Sequence, residues 1–282
     1  SKVMMPLLFI LLLIIVVASC LLPDAGKGVE FLLKPDFGKV DRNVFLNALG
    51  QSFYSMSIGM GCICTYASYF SRQTNLFKSA LQISVIDLLV AVLAGLMIFP
   101  AAFSVGISPD SGPSLIFITL PNVFNKAFAA LPVLGWIISL LFYVLLSVAA
   151  LTSLMSLHEV NTSFFYEELK IDRKKGAWIV TISCAVIGAF CSFSLGATDK
   201  LSWFGKTLFD WFDFITGQVF LPMAGLLTCL FLGWYVPKKI LKDEFTNWGT
   251  LKGRLFGIYF FLIKFVCPIL ILLVFLNQFE VL

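Results

Sequence analysis

Seven stretches of this sequence run for about twenty residues or more almost without charge, and that recurrence limits what the chain can become. They are Val3–Leu22, Phe45–Phe70, Ala80–Val105, Trp136–Phe165, Ala177–Leu195, Phe214–Tyr235 and Leu255–Asn277. About twenty residues at 1.5 Å each cover the roughly 30 Å hydrocarbon core of a bilayer. No water is available there to pair with peptide groups, so each run must close its hydrogen bonds within itself as a helix. Charged residues make up 13% of the chain, against about 25% in an ordinary soluble domain. With hydrophobic residues at 59% and a mean hydropathy of +0.95, too little polar surface remains to coat a soluble fold. The expected class is all-α, a polytopic transmembrane helix bundle. The first run is too long and lacks the cleavage pattern of a signal peptide.

The net charge of +4 gives no sign of a nucleic-acid partner. In a membrane protein the placement of Lys and Arg carries more information than their sum. Arg72 and Lys78 occupy one connection, Lys170, Arg173, Lys174 and Lys175 a second, and Lys238, Lys239, Lys242, Lys252 and Arg254 a third. Seven alternating spans put all three on one side, the cytoplasmic one by the positive-inside rule. The 7 cysteines all fall within apolar runs, and Cys62 and Cys64 lack the spacing of a zinc pair, so they read as buried thiols. The opposite loops, 23–44, 106–131 and 196–213, have mixed or sparse charge. Leu32 to Phe37 reads as a turn-rich outer loop. The stretch from 112 to 132, punctuated by Pro113, Pro121 and Pro132, reads as a lid-like hairpin in an outer vestibule.

Polar groups at membrane depth mark where function sits, because each needs a partner away from water. The second run reads Gly50-Gln51-Ser52-Phe53-Tyr54-Ser55-Met56-Ser57-Ile58-Gly59-Met60-Gly61. It predicts either a helix broken near Ser57-Ile58-Gly59, with freed peptide groups that bind an ion and a substrate, or a small-residue face for close helix packing. Asp87 lies about 12 Å into the third run, near the midplane, where an isolated carboxylate costs about 2.5–3.5 kcal/mol. It reads as a cation ligand or proton carrier, with a salt bridge or a protonated carboxyl against a hydroxyl as the structural alternatives. Ala149-Ala150-Leu151-Thr152-Ser153 sits at the centre of the long fourth run. Its oxygens suit a hard cation, although Thr and Ser in such helices commonly bond back to their own carbonyls. His158 and Glu159 read as hydrated near the cytoplasmic exit, and Lys264 as snorkelling or paired.

These pieces together resemble the neurotransmitter:sodium symporter family, in its bacterial eleven-helix amino-acid transporter branch with the LeuT fold. The resemblance is carried by Lys34-Pro35-Asp36-Phe37, the segment from Gly50 to Gly61, Thr65-Tyr66-Ala67-Ser68-Tyr69, Phe117-Ile118-Thr119-Leu120-Pro121 and Ala150-Leu151-Thr152-Ser153. It implies that residues 3–22 match the fifth helix at the end of the first repeat, 45–235 the second inverted repeat, and 255–277 an extra C-terminal helix. Residues 1–282 would then be a single transmembrane domain lacking the family's first four helices. Those missing helices of the same transporter would supply the other half of the binding site, so this segment alone is not expected to transport. Pro6 resembles the proline of a glycine-to-proline motif in the fifth helix.

Residue by residue, the resemblance implies that Ser55 and Asp87 bind one sodium ion. It gives a second sodium to the carbonyl of Ala149 and the hydroxyls of Thr152 and Ser153. Tyr54, Ser57, Met60 and Leu157 fall at substrate-pocket positions, and Asp213 at an outer-gate carboxylate. Many relatives have asparagine where Asp87 stands, and Ala91 lies near the position of a chloride-contacting serine. A carboxylate there could replace the anion, so the implied activity is chloride-independent, sodium-coupled amino-acid symport by alternating access. Met60 in place of a relative's phenylalanine favours a large hydrophobic or aromatic substrate. The expected partners are the amino acid, sodium and the lipid bilayer, in a multi-pass protein of the cell inner (plasma) membrane, and no enzymatic chemistry. A channel or sensor on the same scaffold, or a truncated structural partner, is the alternative.

Overall fold

The computed structural model describes residues 3–71, 73–104, 106, 124, 129, 131–196, 202–203 and 206–278. The described residues are almost wholly helical. In chain order the elements are α1 (Met4–Cys20), α2 (Ala25–Leu33), α3 (Arg42–Ser55), α4 (Cys62–Ser68), α5 (Leu76–Ser104), α6 (Pro132–Glu167) and α7 (Arg173–Gly196). A two-residue antiparallel ladder follows, pairing Ser202 with Thr207 and Trp203 with Lys206. Next come α8 (Leu208–Asp213), α9 (Leu221–Leu230), α10 (Lys238–Phe245), α11 (Phe256–Phe261) and α12 (Cys267–Gln278). Three π-helical segments, Phe214–Phe220, Phe231–Tyr235 and Leu262–Val266, link α8 to α9, extend α9, and join α11 to α12.

Five of the seven predicted spans are single helical runs of sufficient length and apolarity: Leu76–Ser104, Pro132–Glu167, Arg173–Ser194, Leu208–Tyr235 and Phe256–Asn277. The run 45–70 is interrupted, as its serines and glycines anticipated. α1 has 17 residues, at the short end of what crosses a bilayer, and α2 follows it at a bend of 117°. Segment 23–44, read as a loop, thus contains a nine-residue helix. The hairpin expected over 112–132 lies largely outside the described residues.

The contacts divide the chain into two units, residues 1–39 with 84–155, and residues 40–83 with 156–282. In the first unit, Leu11, Leu12, Ile15 and Val16 of α1 recur one turn apart and are all buried. They pack in one cluster with Met97 and Ala101 of α5 and with Ile138, Phe142 and Leu145 of α6. Ile10, Ile14 and Val17 of α1 are 55%, 44% and 58% exposed. A soluble helix would place polar residues there. Here both faces are equally apolar, so the exposed face suits lipid or further apolar helices rather than water. Pro6 falls in the first turn of α1, where an amide hydrogen would have no helical partner.

α2 closes on the end of α5 through a missing side chain. A Cβ on Gly28 would stand 2.5 Å from the backbone nitrogen of Pro100. Phe31, one turn on, meets Phe99 and Phe103 with ring centroids 5.2 and 5.3 Å away. In the second unit, α3, α9 and α12 meet around Gly225. A Cβ there would lie 3.2 Å from the Phe53 ring and 3.8 Å from Ile271 Cδ1. Leu46, Leu221, Ile271 and Val274 are buried around that junction.

Ser19 is fully buried in α1, and its hydroxyl finds no hydrogen-bond partner among the described residues. An unpartnered buried polar group costs about 1–3 kcal/mol. Ser19→Ala is therefore expected to stabilise the protein by about 1 kcal/mol, read as a higher thermal midpoint in detergent. Ser104, whose hydroxyl donates to the Ala101 carbonyl at 2.7 Å, is the control and should gain nothing on replacement by Ala. A loss of stability in Ser19→Ala would show that the hydroxyl is satisfied.

Candidate functional site

The interruption between α3 and α4 is built from three residues with left-handed backbone. Ser57, Gly59 and Gly61 have φ of 52°, 89° and 78°. Asp41 starts α3 in the usual way, its carboxylate accepting the Val44 amide at 2.8 Å. The helix ends in a Schellman-like turn, with Met56 N–H on Ser52 O, Ser57 N–H on Tyr54 O and Ile58 N–H reaching back five residues to Phe53 O, at 3.0–3.1 Å. It resumes when the Thr65 amide reaches the Gly61 carbonyl at 2.9 Å. Between these points the amides of Gly59 and Gly61 donate to no other described residue.

Gly59 seats the break on the next element. A Cβ there would collide with the Leu221 carbonyl oxygen and lie 3.3 Å from the Gly225 nitrogen. A glycine is needed here twice over, for its positive φ and for its lack of a side chain. Beside this contact lies a cavity of about 340 Å³. Asn47, Gln51 and Tyr54 of α3, Asp213 and Gln218 of the span Leu208–Tyr235, and Asn277 of α12 supply its polar lining. A volume of this order suits a small organic molecule. Of the predicted set the cavity brings together Tyr54 and Asp213, whereas Ser57, Met60 and Leu157 are not among its lining residues. Gln51 belongs to the polar segment quoted from the sequence, but Asn47, Gln218 and Asn277 were not singled out, although side-chain amides inside apolar runs were a usable signal.

Ser57 and Met60 occupy the break itself and are half-buried. Leu157 belongs to the stretch of α6 that meets the far side of the break, where a Cβ on Gly61 would lie 3.2 Å from Val160 Cγ1. Further along, Tyr66 donates to Ser156 Oγ at 2.9 Å and Tyr69 to Glu159 Oε1 at 2.9 Å. The same carboxylate oxygen pairs with Arg173 at the start of α7. Glu159, expected to be simply hydrated, is instead the hub that fastens the end of α4 to α6 and α7. His158 is likewise engaged, its ring nitrogens lying 3.0 Å from Thr181 Oγ1 and 3.1 Å from Thr162 Oγ1.

The predicted cation ligands fall in both units. In the first, Thr152 Oγ1 donates to the Ala149 carbonyl at 2.8 Å, the back-bond common for threonine in helices. The contact also sets two of the three predicted oxygens side by side. A cation there would have the hydroxyl turn its proton away and offer a lone pair. Ser153 follows on the same helix and is exposed. Asp87, also in the first unit, is half-buried and engaged with a neighbour. Ser55 closes the last turn of α3 in the second unit.

The sequence pattern of the family described as the sodium:neurotransmitter symporter family matches residues 1–282. An uncharacterized sodium-dependent transporter of Bacillus subtilis, YhdH, is 37% identical over 278 residues, covering 98% of this chain and 60% of the relative. An uncharacterized sodium-dependent transporter of Haemophilus influenzae is 36% identical over 279 residues, covering 98% and 59%. The crystal structure of MhsT in complex with L-phenylalanine is similar with a TM-score of 0.84 at 36% identity, over 99% of this chain and 62% of that one. The chain spans about 60% of the length of these proteins.

The double demand on Gly59 can be measured against Gly249, which has the same φ of 89° but open space, with nothing within 4 Å of where a Cβ would stand. Gly249→Ala should cost about 1 kcal/mol, for backbone strain alone. Gly59→Ala should cost about 2 kcal/mol more, because the Leu221 backbone cannot yield cheaply. Equal losses in thermal unfolding would mean that the break and α9 are not held at this spacing.

Proposed function

The chain belongs to the sodium:neurotransmitter symporter family, and on that premise we propose that the protein is a sodium-coupled symporter of amino acids working by alternating access. The family is one of sodium-coupled transporters rather than enzymes. The observation that carries the reading is the broken helix, whose left-handed residues 57, 59 and 61 interrupt an apolar run beside a polar-lined cavity. Peptide groups outside a helical ladder at membrane depth persist only where they line a cavity or meet a ligand. Tyr54, Ser57, Met60 and Leu157 would contact the substrate, and Asp213 would close over it from outside. Met60, unbranched and adaptable, would suit a hydrophobic or aromatic amino acid at the break. The phenylalanine in the MhsT complex and the name of a Drosophila persimilis relative, sodium-dependent nutrient amino acid transporter 1 (27% identical over 198 residues), agree with that class.

Sodium would occupy two places, one against Ser55 and Asp87 and one against Ala149, Thr152 and Ser153. Sodium that binds only the substrate-holding conformation raises substrate affinity, and substrate raises sodium affinity by the same factor. Helices outside this segment would complete the site. The hydrogen bonds of Tyr66 and Tyr69 give the inner half-helix a defined docked position on α6. Multi-pass placement in the cell's inner membrane, with the basic connections facing the cytoplasm, completes the reading.

A carboxylate at Asp87 supplies the negative charge that a bound chloride would otherwise provide. Uptake of a hydrophobic amino acid into proteoliposomes of the whole transporter should follow the sodium gradient and stay unchanged when gluconate replaces chloride. Asp87→Asn should lower uptake at least tenfold without chloride and recover part of it when chloride is added, whereas Asp87→Ala should abolish sodium-coupled uptake. Unaltered sodium coupling in Asp87→Ala would overturn the assignment.

A further inference from the structure

Lys264 stands in the middle of an otherwise uncharged run and takes no part in the reading above. Its backbone reaches Gly233 of the neighbouring span, where a Cβ would lie 3.0 Å from Lys264 Cα. Both residues sit in π-helical segments, Phe231–Tyr235 and Leu262–Val266. Gly233 is two residues from the end of its span, and helical side chains lean toward their own N-terminus. The Lys264 side chain is therefore directed to the membrane surface from which α11 starts.

The Lys264 ammonium lies 4.5 Å from the centroid of Trp234 and 5.7 Å from those of Phe260 and Phe265. Lys238, just past the end of the same span, places its ammonium 5.0 Å from the same Phe260 ring. Two like charges thus gather around one aromatic side chain. Neither has a hydrogen bond or ion pair to any described residue, and Asp243 and Glu244 of α10 pair with neither. Ring faces attract a cation but leave its N–H donors unused. Trp234 and Tyr235 are exposed at this level, as in an interfacial aromatic belt. Ile258, Phe261 and Phe265 continue from it as an exposed stripe at helical spacing, suited to an acyl chain.

We propose that Lys238 and Lys264, gathered around Phe260 at the membrane interface, bind the phosphate of an anionic phospholipid. Basic pockets between spans recognise such head groups. The adjoining apolar stripe favours a lipid over free phosphate. The proposal needs only the spans 208–235 and 256–277 to lie in a bilayer, and stands apart from what the protein transports.

Native mass spectrometry of the purified chain in detergent tests it, with phosphatidylglycerol and phosphatidylcholine offered in parallel. The protein should retain phosphatidylglycerol at least fivefold over phosphatidylcholine. Lys238→Gln/Lys264→Gln should lose that preference, whereas Lys252→Gln in the nearby loop should keep it. Lys238→Gln alone changes an exposed residue outside the spans and should lower retention about threefold, which keeps the test open if the double variant folds poorly. Lys238→Arg/Lys264→Arg should restore binding. Retention unchanged in both Gln variants would overturn the site, and displacement of the lipid by millimolar inorganic phosphate would overturn the lipid as its occupant.

Discussion

The rest of the second unit depends on a helix that stops and restarts inside an apolar run. In hydrocarbon an unpaired peptide group costs several kcal/mol, so an interruption there collapses into helix unless its surroundings hold it open. Alternating left-handed residues at 57, 59 and 61 provide the geometry, and one of them, Ser57, carries a side chain that makes this backbone unfavourable by about 1–2 kcal/mol. The neighbours keep it in place. Gly59 rests on the Leu221 carbonyl, Phe53 fills the space over Gly225, and Ile271 of α12 closes the same junction. The π-helical segment 214–220 ends where Leu221 receives the break, so the two irregular stretches stand against each other. Irregular backbone is tolerated because it is packed against irregular or side-chain-free backbone.

Most of this architecture was legible in the placement of charge. Spans appear as runs almost without Lys, Arg, Asp or Glu, and the break appears as serines and glycines where leucines were expected. The parts not legible share a physical cause. α2 was hidden because Gly26, Lys27, Gly28 and Glu30 look like loop residues, whereas Gly28 is there to let the backbone of Pro100 approach. The π-helical segments arise from a one-residue shift in hydrogen bonding that leaves no compositional trace. The bonds from Tyr66 and Tyr69 to Ser156 and Glu159 join residues 90 apart in sequence. The spacing does point that way, since Tyr66 and Tyr69, the residue that caps α4, are three apart, as Ser156 and Glu159 are on α6. What a single sequence could not supply was which two faces meet.

The two halves of the broken helix are held by different kinds of force. α3 is fixed by van der Waals contact through glycines and buried apolar side chains, contacts that fall off steeply with distance and have no substitute in water. α4 is fixed largely by hydroxyl and carboxylate contacts to α6, and Arg173 on Glu159 is itself mostly exposed. Such bonds exchange with water at little net cost, about 0.5–1.5 kcal/mol each for neutral pairs. A ligand bound at the break therefore biases the two halves unequally. α3 resists displacement, while α4 has a docked state that a few kcal/mol of differential binding can populate or empty. On the proposed function, the moving part would be α4, with Gly61 and Ser57 absorbing the change in backbone angle between its two positions.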